Sequence, residues 1–254
     1  MRNKEKMIAV LNSIETGNPE AFAYINPNKY IQHNLAIPTG IEGIGGLMQN
    51  KPPQGFKATI IRAFEDGDYT FAHTVYDFFG PKIGFDVFRF EDGLIVEHWD
   101  NLIEVQPKNS SNRTQTDGET IITDTENTSE NKKIVENFIR ENWLENKNTY
   151  SKYITNNQYL QHNPMGADGL DSFLSTMDNL KQNSIVMYFT KIHKVLGEGN
   201  FVLSLCEGMF GENGGKSTSF YDLFRLKNGK IVEHWDVIEP ILPENLRKNT
   251  NGKF

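Results

Sequence analysis

The sequence predicts an α+β protein made of two tandem copies of one unit, each with N-terminal helices followed by an antiparallel sheet. Three observations carry this. The run IVEHWD at Ile95 to Asp100 recurs unchanged at Ile231 to Asp236. Two further motifs repeat in the same order: YIQHN (Tyr30 to Asn34) matches YLQHN (Tyr159 to Asn163), and FDVFRFEDG (Phe85 to Gly93) matches YDLFRLKNG (Tyr221 to Gly229). In each copy helical spacing comes first and alternating strand-like runs follow. The copies are offset by 129 residues at the first motif (30 to 159) and 136 at the last (95 to 231), so they differ by short insertions. A repeat of roughly 110 residues is domain-sized, well beyond the 20–50 residues of a stacking repeat. The expected boundaries are 1–106 for the first copy, 107–128 for a polar connector and 129–245 for the second copy.

The elements follow in chain order. Met7, Ile8, Leu11 and Ile14 recur at helical spacing, and Gly17-Asn18-Pro19 ends that helix. Pro19 to Tyr24 reads as a short second helix, and Glu42 to Gln49 as a third that Gly43, Gly45 and Gly46 weaken. Four strand-like runs come next: Lys57 to Phe64, Tyr69 to Phe78, Gly84 to Phe90 and Leu94 to Ile103. Asp66-Gly67 and Asp92-Gly93 separate neighbouring runs, a tight-hairpin signal. In the second copy, Thr128 or Ser129 can cap a helix running to about Asn146, with Ile134, Val135, Phe138, Ile139 and Trp143 on one stripe. A short segment, Tyr150 to Ile154, precedes the YLQHN motif. Gly169 to Gln182 forms another helix, and the strands are Ser184 to Leu196, Asn200 to Phe210, Lys216 to Leu226 and Lys230 to Ile238. Asn228-Gly229 is again a hairpin turn. The connector is polar apart from Ile121-Ile122. It reads either as a flexible tether or as a segment lying on a domain surface with the two isoleucines as anchor.

Composition narrows the function. Net charge is −7 and the pI about 5.4, with no basic stripe, so nucleic acid is not an expected partner. The single cysteine, Cys206, excludes an intrachain disulfide and a cysteine metal cluster. No apolar run reaches the ~18 residues of a membrane span. The N-terminal apolar run is too short and interrupted for a signal peptide, and a cytoplasmic location is expected. No phosphate loop or dinucleotide fingerprint occurs, and His33, His73, Asp86 and His98 fit no compact metal motif; no cofactor and no metal are expected.

Strand alternation selects the candidate residues. Asp86 shares a face with Phe88 and Phe90, and Asp222 with Phe224 and Leu226. A carboxyl among apolar neighbours is poorly hydrated, which raises its pKa toward that of a general base for a carbon acid. The competing reading is an acid hydrogen-bonded to backbone or paired with arginine. His98 and His234 share a face with Asp100 and Asp236 and can relay a proton, or simply pack. Trp99 and Trp235 fall on the other face, as core or interface anchors. His73, present only in the first copy, shares a face with Asp77, while Cys206 and Glu207 occupy about that part of the second copy. The two pockets therefore differ in polar content.

The three motifs, in order and twice over, resemble the SnoaL-like polyketide cyclases of the nuclear-transport-factor-like superfamily; only the connector falls outside the resemblance. It implies two tandem cone-shaped α+β barrels, each a curved sheet enclosing a pocket, paired within the chain as a pseudo-dimer. It also implies an acid/base aspartate at Asp86 and Asp222, and it brings the segments of Tyr30, His33, Tyr159 and His162 to the pocket mouth. The expected function is cofactor-independent aldol cyclisation, isomerisation or dehydration of a small hydrophobic carbonyl compound. Asp86, Asp222, His98 and His234 are its candidate catalytic residues. His33, His73, Tyr30, His162, Tyr159, Phe88 and Phe224 are its candidate substrate contacts. The alternative is a non-catalytic ligand-binding or scaffold protein of the same fold.

Overall fold

The computed structural model describes residues 1–49, 52–155 and 157–254. It divides into two compact units: Met1–Val105 with Leu242–Phe254, and Gln106–Ile241.

In unit 1, α1 (Asn3–Thr16) buries Met7, Val10 and Leu11. It stops where Gly17 takes a left-handed conformation (φ +70°) and returns its N–H to Ser13 O at 2.7 Å. A 3₁₀ turn, Pro19–Tyr24, follows, opened by the Asn18 side chain accepting from Glu20 N. Then come β1 (Ile31–Gln32), α2 (Ile41–Gln49), β2 (Lys57–Asp66), β3 (Tyr69–Asp77), β4 (Pro81–Glu91) and β5 (Leu94–Glu104). The sheet order is β1-β5-β4-β3-β2. The four long strands form an antiparallel meander, and β1 adds to β5 in parallel with Gln32 opposite His98. Asp92 and Gly93 both have positive φ, as the two-residue turn that their sequence signals requires. Met7, Leu11, Ile25, Phe88, Phe90 and Ile95 form the core between the helical layer and the sheet.

Unit 2 repeats the plan with α3 (Thr128–Ile139), α4 (Tyr150–Tyr153), β6 (Leu160–Gln161), α5 (Leu170–Gln182), β7 (Val186–Glu198), β8 (Phe201–Gly211), β9 (Lys216–Lys227) and β10 (Lys230–Pro240). Its order is β6-β10-β9-β8-β7, with Gln161 opposite His234 on the parallel edge. The helix expected to run to Asn146 leaves α geometry at Ile139 and continues as a π turn over Arg140–Leu144. That turn carries Trp143 into the core, against Phe138, Phe189 and Phe224.

Among the described residues each sheet is five-stranded, the expected antiparallel meander with one short parallel strand added at its edge. One expectation is corrected. The connector is neither a free tether nor held by both isoleucines, since Ile121 is exposed. Residues 106–128 pack on unit 2, and the tail that follows β10 packs on unit 1. The anchors are polar. Asn109 Nδ2 donates to Gln161 O (2.6 Å), Arg113 grips Asp168 through Nε and Nη2 (2.7–2.9 Å), and Trp235 Nε1 donates to Asp117 O (2.9 Å). In unit 1 the tail does the same work. Asn249 Nδ2 donates to Asn34 O and Ile37 O, and Asn251 Nδ2 to Gln32 O, each at 2.8 Å. A segment of such polar sequence gains its order from hydrogen bonds to backbone groups that would otherwise be buried without partners. No helix among the described residues is long and apolar enough to cross a membrane.

Candidate functional site

In each unit the inward face of the sheet carries a polar cluster below the helices. In unit 1 it comprises Asp86 on β4, His98 and Asp100 on β5, and Gln32 and Asn34 at and just beyond β1. The expected alternation holds here, because β4 and β5 pair with Asp86 opposite Asp100 and Phe88 opposite His98. His98 Nε2 lies 3.3 Å from Asp86 Oδ1 and its Nδ1 3.0 Å from Gln32 Oε1. Gln32 Oε1 also accepts from the Asn34 backbone N–H (2.8 Å), which identifies it as the carbonyl end, so His98 Nδ1 is the donor. Asn34 Nδ2 donates to Asp100 Oδ2 at 2.8 Å. Tyr76 on β3 donates its hydroxyl to Asp86 Oδ2 at 2.6 Å. Tyr30 accepts from Gln32 Nε2 at 3.3 Å, and burial beside Asp100 and Asp86 pushes its phenol far above the usual range, so it stays protonated.

These groups border a cavity of about 140 Å3, otherwise lined by apolar side chains such as Leu11, Ile14, Phe22, Ile44, Phe78 and Leu102. A dry cavity of about this size holds a benzene-sized molecule. Tyr30, Phe88, Asp86 and His98 all line it, as do Asp100, Gln32, Asn34 and Tyr76, which the sequence reading did not name as site residues.

Unit 2 contains the same cluster. His234 Nε2 is 3.1 Å from Asp222 Oδ1, His234 Nδ1 meets Gln161 Oε1 (3.1 Å), and Asn163 Nδ2 donates to Asp236 Oδ2 (2.7 Å). Tyr159 accepts from Gln161 Nε2 at 3.0 Å. One member is missing. The pairings Ala72 to Asp86 and Ser204 to Asp222 put Gly208 where unit 1 has Tyr76. A Cβ on Gly208 would sit 2.1 Å from Tyr188 O, so no side chain fits there. Asp222 Oδ2 is consequently buried with no hydrogen-bond partner among the described residues. Burial pushes the Asp222 carboxyl up to about 8 and that of Asp236 to about 6, and it pushes His234 down to about 4. The cavity is also smaller, about 40 Å3, because Trp143, Phe173, Met177 and Leu180 fill the space beside Asp222 and His234.

Two candidates of unit 2, Tyr159 and Phe224, are packed into its core and do not line its cavity. His33, His162 and His73 lie on the other face of their sheets. His33 stacks on Trp99, its Nε2 meets Glu97 (2.9 Å), and its Nδ1 meets Gly252 O of the tail (2.8 Å). His162 repeats this with Trp235, Glu233 and Thr114 O. Burial alone would raise Glu233, but hydrogen bonds from His162 and Arg225 outweigh it and hold its carboxyl below the usual range. Neither histidine borders its unit's cavity. His73 stacks on Phe85 and bonds Arg62 Nη1 (3.0 Å), away from Asp86. Strand pairing gives its equivalent in unit 2 as Leu205, next to Cys206. Cys206 is buried, which pushes its thiol well above the usual range and leaves it unreactive.

No protein-family model and no curated protein matches the chain. It is similar to solved structures. One is wild-type IdmH of Streptomyces antibioticus, a candidate polyketide cyclase, at 21% identity and TM-score 0.34, covering 40% of this chain and 92% of that one. Another is an NTF2-like protein of unknown function from Cytophaga hutchinsonii, at 16% and 0.36, covering 41% and 91%. A third is an LEH-like epoxide hydrolase of M. tuberculosis, at 18% and 0.34, covering 40% and 82%. At these identities and TM-scores the solved structures give this chain neither a substrate nor a reaction.

Proposed function

We propose that unit 1 binds a small, largely apolar carbonyl compound and catalyses its enolisation, and with it an aldol closure, isomerisation or dehydration, without a cofactor. One observation carries this reading: a buried carboxylate, Asp86, is held between Tyr76 and His98 at the wall of an apolar cavity of about 140 Å3. Asp86 takes the α-proton. His98, whose Nδ1 is fixed by Gln32, faces Asp86 Oδ1 through Nε2 and can pass that proton on. The Tyr30 hydroxyl, which accepts from Gln32 and keeps its own proton, supplies a donor for the developing enolate oxygen. Asp100 Oδ1 is buried with no partner among the described residues and can accept from a hydroxyl on the ligand. Unit 2, which lacks a counterpart of Tyr76 and whose cavity is too small for an organic ligand, takes no part in this reaction; there the scaffold reading is favoured.

The test is α-proton exchange of cyclohexanone, a ring-sized enolisable probe, followed by NMR in D2O. The wild-type protein and Asp222→Asn are expected to catalyse exchange. Asp86→Asn is expected to lose it by roughly 10²–10⁴-fold, the usual contribution of a general base. Exchange that survives Asp86→Asn overturns the proposal. Binding of the ketone without any exchange supports the non-catalytic alternative.

A further inference from the structure

The two units differ at one atom in a way that points to a second kind of site. We infer that unit 2 carries a divalent-cation site whose ligands are Asp222, His234 and Asp236. These residues sit on the adjacent strands β9 and β10, and one donor atom from each lies within 4.8 Å of the other two. His234 Nε2 and Asp222 Oδ1, 3.1 Å apart, have the spacing of two donors that share one ion at about 2.0–2.2 Å each.

The surrounding groups are arranged as a metal's outer shell would be. The Asn163 backbone N–H donates to Gln161 Oε1 at 2.9 Å, so that oxygen can only accept from His234. His234 is thereby fixed with Nδ1–H outward and Nε2 toward the carboxylates, the tautomer an imidazole ligand needs. Asn163 Nδ2 orients Asp236 in the same way.

The independent observation is Asp222 Oδ2. It is fully buried with no hydrogen-bond partner among the described residues, and it belongs to a residue that lines the cavity. A cavity of about 40 Å3 holds an ion with a water or two, not an organic molecule. One imidazole and two carboxylates suit Zn2+ or Mn2+, and the two carboxylates balance the ion's charge. Unit 1 brings the same three residue types as close together, but the Tyr76 hydroxyl occupies the second oxygen of Asp86. Glycine at 208 is what leaves the corresponding oxygen bare in unit 2. This inference does not rest on the acid–base reading of unit 1.

The experiment is calorimetric titration of the chelator-stripped 254-residue chain with ZnCl2, with Co2+ as a spectroscopic substitute. The expected result is one equivalent bound, with a visible Co2+ ligand-field band. Asp222→Asn and His234→Gln weaken binding at least about 100-fold. Gln161→Ala, which removes only an outer partner, weakens it about 10–100-fold. Asp86→Asn leaves it unchanged. Asn is isosteric with Asp and can donate to His234 Nε2, so Asp222→Asn decides the matter should His234→Gln fail to fold. The inference is overturned if the wild type binds no equivalent, if Asp222→Asn binds as the wild type does (surface carboxylates only), or if Asp86→Asn is the variant that loses the ion. Ketone exchange in unit 1 is expected to survive stripping, so the two readings fail separately.

Discussion

Replacing Asp222 by asparagine is expected to stabilise the metal-stripped protein, by an amount that grows with pH. Burial raises the Asp222 carboxyl from its ordinary 3.8 to about 8. Below about pH 3.8 the carboxyl is protonated in both the folded and the unfolded chain, and it contributes no difference. Between 3.8 and about 8 the unfolded chain releases this proton while the folded protein keeps it. The native state then binds more protons than the unfolded state, so the wild type's unfolding free energy falls as pH rises. Above about 8 the difference is constant. At about 1.4 kcal/mol per pH unit the full interval bounds the effect at about 6 kcal/mol, and at about 4 kcal/mol at pH 7. Asparagine does not titrate, and its amide can donate to the His234 Nε2 that Asp222 now faces. Urea denaturation of both proteins from about pH 4.5 to about pH 8.5, with chelator present, measures the difference. A gain in midpoint that is small in acid and climbs to a plateau near pH 8 is expected. A pH-independent difference, or an asparagine variant that is less stable at pH 8, refutes the account of Asp222 as a buried carboxyl without a compensating partner.

Four further outcomes are expected. Tyr76→Phe removes the hydrogen bond to Asp86 Oδ2, worth about 1.5–3 kcal/mol to a charged acceptor, and should slow ketone exchange roughly 10–100-fold without affecting Zn2+ uptake. Trp143→Ala should cost about 3–5 kcal/mol in denaturant and open a cavity in unit 2 that benzene stabilises in a thermal-shift assay. Asn249→Ala removes two hydrogen bonds to Asn34 O and Ile37 O; a loss of about 1–3 kcal/mol and faster hydrogen exchange at His33 and Leu35 are the readouts. Gly118→Ala should destabilise by more than about 1 kcal/mol, because φ is +97° there and a Cβ would meet Glu233 Oε1 at 2.2 Å; a denaturation midpoint equal to the wild type's would contradict this.

The sequence alone determined the duplication, the order of helices and strands, and the facing of the key side chains. Alternation along a strand is strictly local, so the F/Y-D-x-F and E-H-W-D motifs already placed Asp86 with Phe88 and His98 with Asp100, and their copies likewise. The same H-x-D spacing could have added Asp100 and Asp236 to the candidate site. The Asp92-Gly93 and Asn228-Gly229 turns were legible for the same reason, since positive φ at both turn positions is a property of those residues, whereas the first hairpin turns one residue later than Asp66-Gly67 suggested, with Asp66 still paired to Tyr69. What only the tertiary structure decided depends on register and on contacts distant in sequence. The equivalence of Tyr76 and Gly208 follows from strand pairing: Tyr76 pairs with Lys82 and Gly208 with Thr218, so the β8–β9 hairpin is four residues longer than its counterpart and counting residues misaligns the copies. That pairing alone showed that one aspartate is satisfied and the other bare. His33 and His162 were assigned to the pocket mouth by the resemblance, but they turn to the opposite face, where Glu97 and Glu233 and carbonyls of the tail and the connector bind them. The packing of the connector and the tail was illegible because their order comes from backbone carbonyls around Gln32, Asn34 and Gln161, partners that the composition of these segments cannot reveal.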